Sequence, residues 1–153
     1  MKAEERLRQL GIDLPSPPDR AVGNFAPTKL SGGFLYVSGH GPSRNGEFLH
    51  CGKVQSVISV EIAREAARLT VLNALASVRR DIGSLDHVTE VVKLLGMVNS
   101  DPDFEAQPRV IDGASDLLVE IFGEPGRHAR SAVGVAALPF GICVEIEMVL
   151  GVR

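Results

Sequence analysis

The stretch Arg127-His128-Ala129-Arg130-Ser131-Ala132-Val133-Gly134-Val135-Ala136-Ala137-Leu138-Pro139, followed by Phe140-Gly141-Ile142-Cys143-Val144-Glu145-Ile146-Glu147, decides the reading of this chain. Val133 and Val135, set among alanine and glycine, suit a packed strand. Pro139 has no N–H to give to a ladder and ends that strand. Val144, Ile146 and Met148 then alternate with Glu145 and Glu147, the period-two pattern of a half-buried strand. The two glutamates share one face and the apolar residues take the other. With Pro139-Phe140-Gly141 as a turn, the two strands read as a hairpin. Arg130 starts the first strand and so lies far along the second, beyond Glu147, at a sheet edge or a subunit boundary. Its guanidinium is always charged and matches a carboxylate bidentately. The plainer alternative is a surface arginine paired with an acid such as one of the strand glutamates.

Working outward, the C-terminal strands complete a longer pattern. Glu4 to Leu10 forms a short helix closed by Gly11. Leu14 to Asp19 is extended, because each proline fixes φ and restricts the residue before it. Phe25 to Leu30 reads as a first strand and Phe34-Leu35-Tyr36-Val37-Ser38 as a strong second one. Gly39-His40-Gly41-Pro42 opens a loop that runs to Gly52. Ser59 or Val60 begins a long helix with Glu61 in its first turn, where the helix dipole favours negative charge. Ile62, Ala66, Leu69, Ala74 and Val78 form its inward stripe, and Gly83 ends it. Val88 to Val98 is an apolar, β-branched strand of the buried type. Asp101-Pro102-Asp103 is a turn. Val110 to Phe122 is a second amphipathic helix with Leu117, Leu118, Ile121 and Phe122 inward, stopped by Gly123 to Gly126. The order ββ(loop)αβαββ predicts an α+β fold with two helices on one face of a single mixed sheet.

A chain of 153 residues is long enough to bury one core. Its net charge of −3 argues against nucleic acid as a partner, since phosphate binding calls for a basic footprint. No apolar run is long enough to cross a membrane, and Met1 to Leu10 lacks the continuous apolar core of a signal peptide. Cys51 and Cys143 are far apart and without CxxC spacing, which points to reduced thiols and a cytoplasmic location.

Motifs for cofactor or metal chemistry are missing. Gly39-His40-Gly41 lacks a third glycine and a following helix, so it is no dinucleotide fingerprint. His40, His50, His87 and His128 show no metal-ligand spacing, so neither a metal nor a cofactor is expected. His50-Cys51 reads as an accident of a loop. No GxSxG elbow activates Ser38. Glu145 and Glu147 are either the solvent face of a strand or, for one of them, a group that positions a water in a cleft. His40 follows a strand at a point where loops often carry function. His128 reads as a surface residue.

Ser38-Gly39-His40-Gly41-Pro42 after a strand, then Arg130-Ser131-Ala132-Val133, Leu138-Pro139 and Val144-Glu145-Ile146-Glu147, resemble the RidA/YjgF family, also labelled endoribonuclease L-PSP. The family signature runs Arg-Ser-x-Val-x-Val-x-x-Leu-Pro, a gap, then hydrophobic-Glu-hydrophobic-Glu. Ala21-Val22-Gly23-Asn24-Phe25 resembles the family's Ala-Ile-Gly-Pro-Tyr. The likeness runs from Ala21 onward, which divides the chain into an N-terminal helix and Pro-rich extension (1–20) and a RidA/YjgF-like domain (21–153).

The resemblance implies a chorismate-mutase-like fold and a homotrimer with a barrel-like centre and clefts between subunits. It implies an enamine/imine deaminase that turns 2-aminoacrylate-type intermediates into 2-oxo acids and ammonia. In that role Arg130 grips the substrate carboxylate and Glu145 helps place the water. Phe25, Ser38, Gly39, His40, Asn99 and Ala132 fall at substrate-binding positions. Several residues depart from the family pattern: Phe25 replaces a tyrosine, Ala132 a frequent cysteine and His40 a common glutamine. These mark a divergent subgroup and leave two further functions in view, a non-catalytic carboxylate-binding trimer and a ribonuclease or translation inhibitor.

Overall fold

Ser59 and Gly83 bound the helix on which the rest is built. Ser59 Oγ accepts the Ile62 N–H, and the Gly83 N–H donates to the Arg79 carbonyl. In the computed structural model of the chain, which describes residues 1–17 and 23–153, this helix is α2 (Val60–Ile82). Pro18, Asp19, Ala21 and Val22, which carry part of the proline run and of the N-terminal match, lie outside the described residues. The other elements are α1 (Ala3–Leu10), β1 (Thr28–Ser31), β2 (Phe34–His40), β3 (Ser43–Arg44), β4 (Glu47–Phe48), β5 (Val88–Asn99), α3 (Gln107–Phe122), β6 (Ala129–Val135) and β7 (Val144–Val152). The fold is α+β, as the element order implied.

The main sheet has the order β1-β2-β7-β5-β6, and β3 pairs β4 in a small separate ribbon. Among the strands of the described residues only β5 and β6 pair in parallel, and α3 is their crossover. This corrects the hairpin expected for the last two strands: β5 lies between β6 and β7 and pairs with both. Period-two alternation tells which face a side chain takes, but not which strand is its neighbour.

Leu94, Val98, Ile146, Met148 and Leu150 point from the sheet into a core with α2 and α3 and are at most 2% exposed. From α2 this core takes Ala63, Ala66, Ala67, Val71, Ala74, Leu75 and Val78, and the expected Leu69 is buried as well, outside that cluster. The stripe starts one residue after the expected Ile62, which is exposed. The small side chains bring α3 very close: a Cβ on Gly113 would stand 2.2 Å from the Arg64 carbonyl oxygen. Helix α3 begins three residues before Val110, because Pro108 is well placed in a first helical turn. Phe122, expected inward, is half-buried. Helix α1 adds Ala3 and Leu7 to the same core. Its Glu4 N–H donates to Asp86 Oδ1 and its Glu4 Oε1 accepts the Leu85 N–H. Strand β2 continues to His40, two residues past the expected end.

Candidate functional site

Strand β2 carries a bulge. Val37 stands opposite Met148 and His40 opposite Ile146, so Ser38 and Gly39 together face the single residue Glu147. The neighbouring Glu145 lies against the bulge on the sheet face away from the helices. A Cβ on Gly39 would stand 2.5 Å from Glu145 Oε2 and 2.9 Å from its Cδ, so glycine is what lets the carboxylate lie on the strand. Partial burial, and next the charge of Glu147, push the Glu145 carboxyl above its ordinary 4.5. Ser38 Oγ donates to the Ala26 carbonyl at 2.6 Å.

The bulge is held from behind by α2. His40 Nδ1 is 2.7 Å from the Ser38 carbonyl, which only accepts, so that nitrogen bears the ring hydrogen. Nε2 then accepts from Ser77 Oγ at 3.0 Å. Burial lowers the His40 pKa and so favours the neutral ring. One turn earlier, Asn73 Nδ2 donates to the Gly41 and Ser43 carbonyls, both at 2.9 Å. His40 is thus tied to the helix side, behind the bulge.

Arg130 lies on the edge strand β6. Its register neighbours Leu94 and Met148 are both buried under the helices, which puts Arg130 on the helix face. Nη1 donates to Asp112 Oδ1 at 2.8 Å and to Ser115 Oγ at 3.2 Å, both on α3. The partner acid is therefore a helix aspartate and not a strand glutamate. Ser115 Oγ is 2.9 Å from His128 Nε2, and His128 Nδ1 is 2.6 Å from the Gly126 carbonyl. Burial, and then the positive charge of Arg130, lower the His128 pKa against the opposing pull of that carbonyl. A depression of about 240 Å³ runs along these residues, with Asp116 and Arg127 at its rim.

The other expected residues scatter. Ala132 is half-buried on the same face as Arg130. Asn99 is buried at the end of β5, where Nδ2 donates to the Ile142 carbonyl at 3.1 Å. Its Oδ1 has no partner among the described residues. Phe25 is 55% exposed. The protomer brings Ser38, Gly39 and Glu145 together and keeps Arg130 apart, on the opposite face of the sheet.

Sequence reasoning missed Asp112 and Ser115. It also missed a concavity of about 500 Å³ on the open sheet face, walled by Lys29, Tyr36, Lys93, Ser131 and Glu147. Helical spacing from Asp112 to Ser115 was the available signal for the first pair, but nothing local tied it to Arg130. Cys51 is exposed and Cys143 buried, both as free thiols, and burial pushes the Cys143 thiol up to about 11. Among the described residues, no cluster of three metal-binding side chains occurs, and no helix is long and apolar enough to cross a membrane.

Residues 4–148 match the family model described as "YjgF/chorismate_mutase-like, putative endoribonuclease". The chain belongs to this family. The protein TCP17 of Trypanosoma cruzi is 42% identical over 142 residues, covering 92% of this chain and 88% of that protein. The crystal structure of Atu1372 from Agrobacterium tumefaciens matches with 42% identity and a TM-score of 0.88, covering 98% of this chain and 91% of that one. A Shewanella oneidensis structure carrying the same endoribonuclease label matches with 32% identity and a TM-score of 0.94, covering 99% and 100%.

Proposed function

We propose that this family member is an enamine/imine deaminase acting on small amino-acid-derived carboxylates, working as a homotrimer in clefts between subunits. The observation that carries the reading is the Glu145 carboxyl, held on the Gly39 bulge with a raised pKa. A carboxylate of raised pKa is a better proton acceptor near neutral pH than an ordinary one. Across the subunit boundary Arg130 offers the carboxylate grip: among the described residues nothing takes its Nε or Nη2.

The chemistry asks little more. The enamine gains a proton from solvent at C3 and becomes the iminium, the protonated imine. Glu145 takes a proton from water as the oxygen adds to the imine carbon. The nitrogen receives that proton, the C–N bond breaks with its electrons leaving on ammonia, and the hydroxyl gives its remaining proton to solvent as the carbonyl forms. The imine carbon is already electrophilic, so orientation and one proton-transfer group are enough. A net charge of −3 favours a small carboxylate held by a local arginine over RNA. Phe25 favours a second reading, a trimer that binds 2-oxo acids without turnover, because it supplies no hydroxyl.

The test is an assay that generates 2-aminoacrylate or 2-iminobutyrate in place and follows 2-oxo acid release. The wild type should accelerate release. Arg130→Ala should lose about a hundredfold in kcat/KM, the size of two charge-assisted hydrogen bonds. A trimeric wild type without acceleration would leave the binding reading standing. Unchanged turnover in Arg130→Ala would reject Arg130 as the grip.

A further inference from the structure

Arg130 has one nitrogen anchored and one edge to spare. Nη1 is held by Asp112 and Ser115, whereas Nε and Nη2 present the parallel N–H pair that a carboxylate accepts. Where that edge points depends on the two anchors. Asp112 is 41% exposed and carries a side chain able to turn. Ser115 is fixed by its own partner. His128 Nδ1 faces the Gly126 carbonyl and so carries the ring hydrogen, which leaves Nε2 as an acceptor for the Ser115 hydroxyl proton. The Ser115 lone pairs are then turned towards Arg130. The same device appears at the other half of the site: His40 sits on the carbonyl two residues before it and accepts from a helix serine, Ser77.

We infer that His128 is a positioning residue for Arg130, acting through Ser115 to set the direction of the free guanidinium edge. The inference rests on the reading of Arg130 as the carboxylate grip. Without His128 the Ser115 hydroxyl rotates freely and donates elsewhere, for instance to Asp112, and Nη1 loses its fixed anchor. Carboxylate binding weakens while the proton chemistry at Glu145 is untouched.

The experiment measures the Kd of 2-oxobutyrate, used as the probe, together with the maximal rate of 2-iminobutyrate hydrolysis, for Ser115→Ala, His128→Ala, the double variant, Ser115→Thr and Arg130→Ala. Each alanine single should raise Kd about three- to tenfold with the maximal rate within about twofold, and the double should be no worse than the larger single. Ser115→Thr keeps the hydroxyl and should keep the wild-type Kd. The ¹⁵N spectrum of His128 should show a neutral ring protonated at Nδ1, with the Nε2 signal moving in Ser115→Ala. Single effects that multiply in the double would overturn the inference. So would unchanged Kd in both singles while Arg130→Ala abolishes binding, which would leave Arg130 as the grip. Unchanged Kd in Arg130→Ala would overturn the functional reading itself, and the inference with it.

Discussion

At the scale of residues, the account turns on a glycine and a glutamate. Gly39→Ala places a methyl carbon 2.5 Å from Glu145 Oε2, too close for both to stay, and must move the carboxylate. Turnover should fall about tenfold or more, as displaced proton-transfer groups do, with the fold intact by circular dichroism. An alanine variant of full activity would show that the carboxylate does not work from that position. Glu145 also has a pH signature. Its folded pKa is raised, so the native state keeps its proton to higher pH than the unfolded chain. The ionised form therefore costs stability, fully above the raised pKa and not at all below 4.5. Glu145→Gln should raise Tm at pH 7, lose that gain at pH 4, and lose turnover at every pH. Thermal melts across that range check the sign. The glutamate was legible in the sequence because alternation places it on one face with Glu147. The raised pKa was not, because it depends on a bulge that no local pattern announces.

At the scale of elements, the contact between α2 and α3 is set by small residues. Gly113→Ala would drive a Cβ into the Arg64 carbonyl, 2.2 Å off, a backbone atom that cannot turn aside. Forcing the helices apart should cost about 1–3 kcal/mol in urea unfolding, the range of overpacked cores. Unchanged stability would mean the helices slide without loss. The helices themselves were well legible: Ser59, Gly83 and Gly123 mark ends that the structure keeps. Strand pairing was not. The last two strands read as a hairpin because they are adjacent in sequence, yet β5 lies between them. A crossover through α3 is longer in sequence than the turn at Pro139, and sequence proximity gave the turn undue weight. That error also hid the surroundings of Arg130, which faces α3 and not the strand glutamates.

At the scale of the whole molecule, the two halves of the proposed site lie on opposite faces of one sheet. Arg130 faces α3 at the edge, and Glu145 faces outward on the Gly39 bulge. A protomer cannot bring them together, so the proposed chemistry requires a second copy. The most direct test mixes subunits. Arg130→Ala and Glu145→Gln should each be nearly inactive as pure assemblies. Unfolded together in equal amounts and refolded, they should recover about a quarter of wild-type turnover, because a random cleft draws an intact Arg130 from one subunit and an intact Glu145 from its neighbour about one time in four. Assemblies that mix, as shown by tagged subunits, yet stay as inactive as the parents would contradict the shared cleft.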